Sequence, residues 1–167
     1  MKNRLSLIFA AAALSVVALV GCSSNSPTPG AADSAASSAS VPAPGSELST
    51  AASSLGTIVV DGHGMTVYYY SKDMKGSGKS DCTGGCLALW PAVKATSSSP
   101  KVDGVTGMVG TITRDDGTLQ VTIDGMPVYT YAQDSQAGDV NGEGIDNLWY
   151  VVSPDGSAIK GSTKSGY

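Results

Sequence analysis

One stretch of this chain is written twice. Gly64-Met65-Thr66-Val67-Tyr68-Tyr69-Tyr70-Ser71-Lys72-Asp73 aligns without gaps on Gly125-Met126-Pro127-Val128-Tyr129-Thr130-Tyr131-Ala132-Gln133-Asp134, and the Gly, Met, Val, both outer Tyr and the Asp are identical. Each copy then passes through a loop rich in Gly, Asp and Ser to a tryptophan, Trp90 in the first and Trp149 in the second. Such a duplication constrains the fold more tightly than composition does, because one supersecondary unit laid down twice must build one core from two equivalent halves. Repeat one spans about 57–93 and repeat two about 119–154. A Ser/Pro/Gly-rich connection from Ala95 to Val109 joins them.

Each repeat is expected to open as a β-hairpin. Thr57-Ile58-Val59-Val60 meets Asp61-Gly62-His63-Gly64 and returns as Met65 to Tyr70. Leu119 to Ile123 meets Asp124-Gly125 and returns as Met126 to Ala132. Asp-Gly between β-branched runs is a strong hairpin signal, since glycine takes the positive φ such turns demand. Pro127 sits early in its strand, where its missing N–H does least harm. Further strands are expected at Gly110 to Arg114, at Trp149 to Val152 and near Ala158 to Lys160. One short helical turn is expected around 85–89, stopped by Pro91. The fold class is mostly β, an antiparallel, sandwich-like domain of two pseudo-symmetric hairpin repeats. Its expected core holds Val59, Val67, Tyr69, Ile112, Val121, Ile123, Val128, Trp149 and Val151.

Upstream the composition changes. Lys2 and Arg4 precede an apolar run from about Leu5 to Val20, which ends in Leu19-Val20-Gly21-Cys22. A basic head, an apolar run and small residues before a cut make a secretory signal, and a Cys just after the cut makes it a lipobox. The run is shorter than the roughly 20 apolar residues needed to cross a bilayer. The expectation is therefore a lipoprotein signal peptide at 1–21 and acylation of Cys22 by fatty acids such as palmitate. The mature chain would then be anchored to the membrane on its extracytoplasmic face. Residues 22–54 are almost wholly Ser, Ala, Pro, Gly and Thr, and are expected to form a disordered, lipidated tether ahead of a β-rich domain at 55–167.

Charge narrows the partners. From Leu55 onward eight Lys and Arg stand against twelve Asp and Glu, with no basic cluster. Nucleic acid is not an expected partner. Once Cys22 is lipidated, Cys82 and Cys86 remain. An even pair in an exported domain is most simply a disulfide, and Cys-x-x-x-Cys spacing allows the required geometry.

The motif residues resemble a known family. Tyr68-x-Tyr70-x-x-Asp73 and Tyr129-x-Tyr131-x-x-Asp134 are similar to the Y-x-[FWY]-x-x-D signature of bacterial predicted lipoproteins, the secreted repeat of unknown function. Cys82-Thr83-Gly84-Gly85-Cys86-Leu87-Ala88-Leu89-Trp90-Pro91 resembles that family's C-x-G-x-C-x-x-x-W-P block. Arg114-Asp115-Asp116-Gly117 with Gln120-Val121-Thr122, and the run Gly138 to Gly144, resemble its second half, with Glu143 standing where Gln is expected. The resemblance implies an exported, lipid-anchored repeat domain, and carries no activity with it.

Several side chains invite chemistry. Asp73 and Asp134 could face one cleft, although Asp at a strand end more often accepts backbone N–H bonds in a turn. The thiolates of Cys82 and Cys86 with His63, Met65, Met74, Met108 or Met126 would form a soft set suited to copper, provided the cysteines are reduced. Asp139, Asn141 and Glu143 place oxygen donors at alternate positions, an echo of a calcium loop, but Tyr150 occupies the place of its bidentate Glu. A Ser-His-Asp triad would have to use His63, without a G-x-S-x-G elbow. The functional expectation is a non-enzymatic binding or interaction module, with no cofactor and with a protein or small-ligand partner. The alternative is a copper-binding or thiol-redox protein of the cell envelope.

Overall fold

The structure is a computed structural model that describes residues 45–161. The expected signal peptide, Cys22 and most of the expected tether lie outside the described residues. Eight strands carry the fold: β1 Leu48–Ser53, β2 Gly56–Asp61, β3 Tyr68–Tyr70, β4 Val109–Thr113, β5 Leu119–Ile123, β6 Met126–Tyr129, β7 Trp149–Val152 and β8 Ala158–Ile159. A helical turn, Cys86–Leu89, and a 3-10 turn, Ile145–Asn147, sit in the loops that lead to the two tryptophans. β1 and β2 form a two-stranded sheet, and the other six strands form one sheet in the order β4-β5-β6-β3-β7-β8. Every strand pairing is antiparallel. No described helix is long and apolar enough to cross a membrane.

The second hairpin forms as the sequence predicts. Asp124 and Gly125 take φ of 52° and 76°, the paired positive values of a two-residue hairpin turn whose twist matches its strands. Ile123 and Met126 flank that turn, and Thr122 faces Pro127. Narrow and wide pairs alternate along an antiparallel ladder, which makes Thr122 and Pro127 the pair that needs no N–H from the proline.

The first hairpin departs from expectation. β2 takes β1 as its ladder partner and meets the returning chain through a bridge between Val60 and Thr66. β3 leaves it to lie between β6 and β7. The ordered domain also begins earlier than Leu55. Leu48-Ser49-Thr50-Ala51-Ala52-Ser53 is strand β1 rather than tether, with Leu48 fully buried and Ala51 close to it. Small residues gave it no visible alternation. Pairing along all of β2 fixes it as strand, from Leu48 opposite Asp61 to Ser53 opposite Gly56.

Two apolar clusters fill the molecule. One gathers Tyr68, Tyr129, Tyr131, Trp90, Trp149, Val151, Ile58 and Val60, while the other gathers Leu48, Val59, Val67, Tyr69, Val93, Val121, Ile123, Val128 and Val152. Alternate residues of β2, β3 and β7 thus go to opposite clusters, so these strands are covered on both faces. Of the expected core, only Ile112 differs, being half-buried on edge strand β4.

Candidate functional site

The repeated motif strands meet at the centre of the sheet, where β3 pairs with β6 and Tyr68 stands opposite Tyr129. From there the two repeats exchange partners. The Tyr68 hydroxyl donates to Asp134 Oδ2 at 2.7 Å, and the Tyr129 hydroxyl donates to Asp73 Oδ2 at 2.6 Å. Each tyrosine therefore serves the aspartate of the other repeat. The second oxygen of each carboxylate closes its own loop: Asp73 Oδ1 accepts from the Asp81 N–H, and Asp134 Oδ1 accepts from the Asn141 N–H.

The aromatic rings repeat the exchange. Trp90 and Trp149 stack with centroids 3.7 Å apart and planes 2° from parallel. Tyr131 stacks on Trp90, and Tyr70 on Trp149, each at 4.3 Å. Within a repeat the contacts are edge-on, Tyr68 to Trp90 at 5.5 Å and Tyr129 to Trp149 at 5.4 Å. Such ring pairs contribute about 0.5–1.5 kcal/mol each beyond the area they bury. The backbone obeys the same pseudo-dyad. Val93 N–H donates to Val128 O as Val152 N–H donates to Val67 O, and Ala132 N–H donates to Leu89 O as Ser71 N–H donates to Leu148 O.

Burial raises both Asp73 and Asp134 above the usual carboxylate range, against the lowering influence of the tyrosine hydroxyls and of the backbone N–H bonds. Burial and the neighbouring carboxylate likewise raise the Tyr68 and Tyr129 phenols. An aspartate raised on folding binds its proton more readily in the native state. Its contribution to stability therefore falls as pH rises from the ordinary value, about 3.9, through the raised one. Glu47, Asp116, Asp139 and Asp155 are lowered, each chiefly by hydrogen bonds, and what they add is lost as pH falls below the ordinary range. Removing the Tyr129 hydroxyl in Tyr129→Phe takes away a bond that favours the Asp73 carboxylate. Carboxyl-carbon NMR titration of that variant is expected to show Asp73 raised further with Asp134 unmoved, and Tyr68→Phe the converse.

The remaining sequence candidates go to separate places. Cys82 and Cys86 are joined as a disulfide with Cα atoms 5.3 Å apart. Their sulfurs are thus bonded to each other, whereas a copper reading requires free thiolates. His63 is exposed in the turn after β2, with Nδ1 3.5 Å from Asp61 Oδ2, and Met65 is half-buried beside it. Met74 and Met108 are exposed. Asp139 Oδ2 accepts from Ser135 and Gln136 N–H groups, Glu143 accepts from Val151 N–H and Gly161 N–H, and Asn141 gives its N–H to Asp134. The Asp139 and Glu143 oxygens are thus engaged by backbone N–H groups, Asp139 within its own loop and Glu143 to β7 and to Gly161. No group of three or more His, Cys, Asp and Glu among the described residues is arranged to hold a metal ion.

Residues outside the Tyr-x-Tyr-x-x-Asp strands also build the site. Gly142 N–H lies 3.3 Å from the Tyr68 hydroxyl oxygen, and a Cβ there would come within 2.8 Å of the Tyr68 ring and 2.9 Å of Trp90. Arg114 reaches from the end of β4 to the carbonyl of Cys82 at 2.9 Å and to the side chain of Gln120, which is fully buried and donates to Val128 O. A groove of about 520 Å³ opens beside the first turn, with Ala92, Val93 and Thr130 among its lining residues and His63, Lys94, Glu47 and Asp61 also on it. The pattern of motifs gave no sign of it, because its walls come from segments far apart in the chain.

None of the curated proteins and none of the solved structures matches this chain. The family model described as a secreted repeat of unknown function matches twice, at residues 49–94 and 110–153. The first match starts inside β1, so each repeat comprises three strands, β1 to β3 and β4 to β6, followed by the loop and its tryptophan. Both matched spans contain one Tyr-x-Tyr-x-x-Asp strand and one stacked tryptophan, together they cover more than half of the residues, and the chain belongs to the family of the secreted repeat of unknown function.

Proposed function

We propose that this chain is a lipid-anchored, extracytoplasmic binding module, in which the paired motifs hold two repeats together and the groove beside the first turn receives a small ligand or a partner's side chain. The groove carries the reading. Its volume lies in the range of small-molecule pockets, about 300–1,000 Å³, and Ala92 and Val93 give it an apolar surface. Its carboxylates are already committed: Asp61 Oδ1 accepts from the His63 and Met65 N–H groups, and Glu47 accepts from Thr96 and Lys101. His63 stands against Asp61, so Lys94 is left to meet the ligand, which favours an apolar body bearing an acceptor or an anion. The twin aspartates, each holding a tyrosine and a backbone N–H, have the role of fasteners, and the disulfide that of a loop clasp.

The anchor rests on the sequence at Leu19-Val20-Gly21-Cys22. Mass analysis of the N-terminal peptide from membrane-extracted protein is expected to find acylated Cys22, with Cys22→Ala released from the membrane. A mature chain that keeps residues 1–21 would contradict the anchor. For the groove, a screen of apolar carboxylates by amide NMR is expected to move Ala92, Val93, Lys94 and Thr130 together, and Lys94→Glu to weaken the hits at least about tenfold, or 1.4 kcal/mol. Hits confined to other surfaces would contradict it.

A further inference from the structure

A second, smaller cleft has a different chemistry. It measures about 120 Å³ and is lined by Lys79, Ser80, Thr83, Ile112, Thr113, Arg114 and Asp115. Two cationic side chains and three hydroxyls thus surround a space too small for a drug-sized molecule.

Arg114 is held in place before any ligand arrives. Nη2 donates to the Cys82 carbonyl at 2.9 Å and Nη1 donates to Gln120 Oε1. Gln120 is itself fixed, fully buried with its amide 3.0 Å from Val128 O. The Cys82 carbonyl belongs to the disulfide loop and also accepts from Ser80 Oγ. A guanidinium carries five N–H donors in a rigid fork, so three remain after these two bonds. Among the described residues the ion pairs comprise His63 with Asp61 alone. No carboxylate of the described residues therefore stands within bonding distance of Arg114 or Lys79. A fixed, half-buried guanidinium with donors to spare, beside a lysine and hydroxyls, has the donor set that planar and tetrahedral oxyanions accept.

We propose that this cleft binds a tetrahedral oxyanion, a phosphate or sulfate, with Arg114 as the preorganised fork, Lys79 as the second charge and the Thr83 and Thr113 hydroxyls as neutral donors. Asp115 on the rim opposes the anion and limits its affinity. The site is independent of the groove beside His63, since the two share no lining residue.

Titration of the mature chain with inorganic phosphate, at constant ionic strength against sodium chloride, tests this by amide NMR. The expected result is saturable shifts confined to residues around 79–83 and 112–115, with half-saturation at millimolar concentration, on the order of 4 kcal/mol of binding. Lys79→Glu should weaken binding at least about tenfold, 1.4 kcal/mol. Asp115→Asn, at an exposed turn position with no side-chain bond to lose, should tighten it several-fold. A purely structural Arg114 predicts neither charge effect. Shifts that chloride reproduces, an absence of saturation, or a Lys79→Glu variant that binds as the parent does would overturn the proposal. His63→Ala should leave phosphate binding unchanged, which separates this site from the groove.

Discussion

Expressed alone, residues 45–107 and residues 108–161 should each fail to fold. The first piece keeps Tyr68 without Asp134 and Asp73 without Tyr129, and its β3 loses both neighbours, since β6 and β7 lie in the other half. A hydrogen bond to a charged partner is worth about 1.5–3 kcal/mol, and a buried group left unpaired costs the same order. A piece below roughly 70 residues rarely draws more than 3–5 kcal/mol from its core, which one orphaned carboxylate and one orphaned tyrosine hydroxyl would consume. Amide NMR of either piece should show the narrow dispersion of an unfolded chain, and an equimolar mixture should recover the dispersion of the whole domain. A half that by itself gives a dispersed spectrum matching its part of the intact protein would show that the repeats are self-sufficient.

The second large effect is expected from Trp90→Ala. Trp90 is 3% exposed and touches three rings, Trp149 and Tyr131 face-on and Tyr68 edge-on. Truncating a buried Trp costs about 3–5 kcal/mol, a large share of the 5–15 kcal/mol that holds a typical domain. Thermal unfolding should move down by on the order of 10–20 °C. Trp149→Ala should cost a comparable amount, because its pseudo-symmetric neighbours are Trp90, Tyr70 and Tyr129. Met74→Ala, at an exposed position, serves as the control and should stay within about 0.5 kcal/mol of the parent.

The duplication made the repeat plan legible, and Asp124-Gly125 made one hairpin legible down to its turn residues. Other features lay beyond sequence reading for identifiable reasons. Strand β1 is built of Leu, Ser, Thr and Ala, and its strand character comes from pairing with β2, a tertiary fact. Alternation along β3 could not say which face was inward because both are: Tyr68 packs with the tryptophans and Tyr69 with Val121 and Ile123. The candidate site was half visible. Alignment of the repeats picks out Tyr68, Asp73, Tyr129 and Asp134, and the turn-forming role of the two aspartates holds. The crossing of partners spans 66 residues in one case and 56 in the other, and no local spacing rule reaches so far. The groove and the Arg114 cleft were invisible for the same reason.

Reciprocal pairing is the claim on which the fold and its proposed role both depend, and double-mutant cycles reach it directly. Tyr68→Phe with Asp134→Asn, and Tyr129→Phe with Asp73→Asn, should each show a coupling of about 1–2 kcal/mol in urea unfolding, as expected for side chains in direct contact. The within-repeat combination, Tyr68→Phe with Asp73→Asn, should be additive to within about 0.5 kcal/mol. Strong coupling inside a repeat and additivity between repeats would contradict the interlocked arrangement.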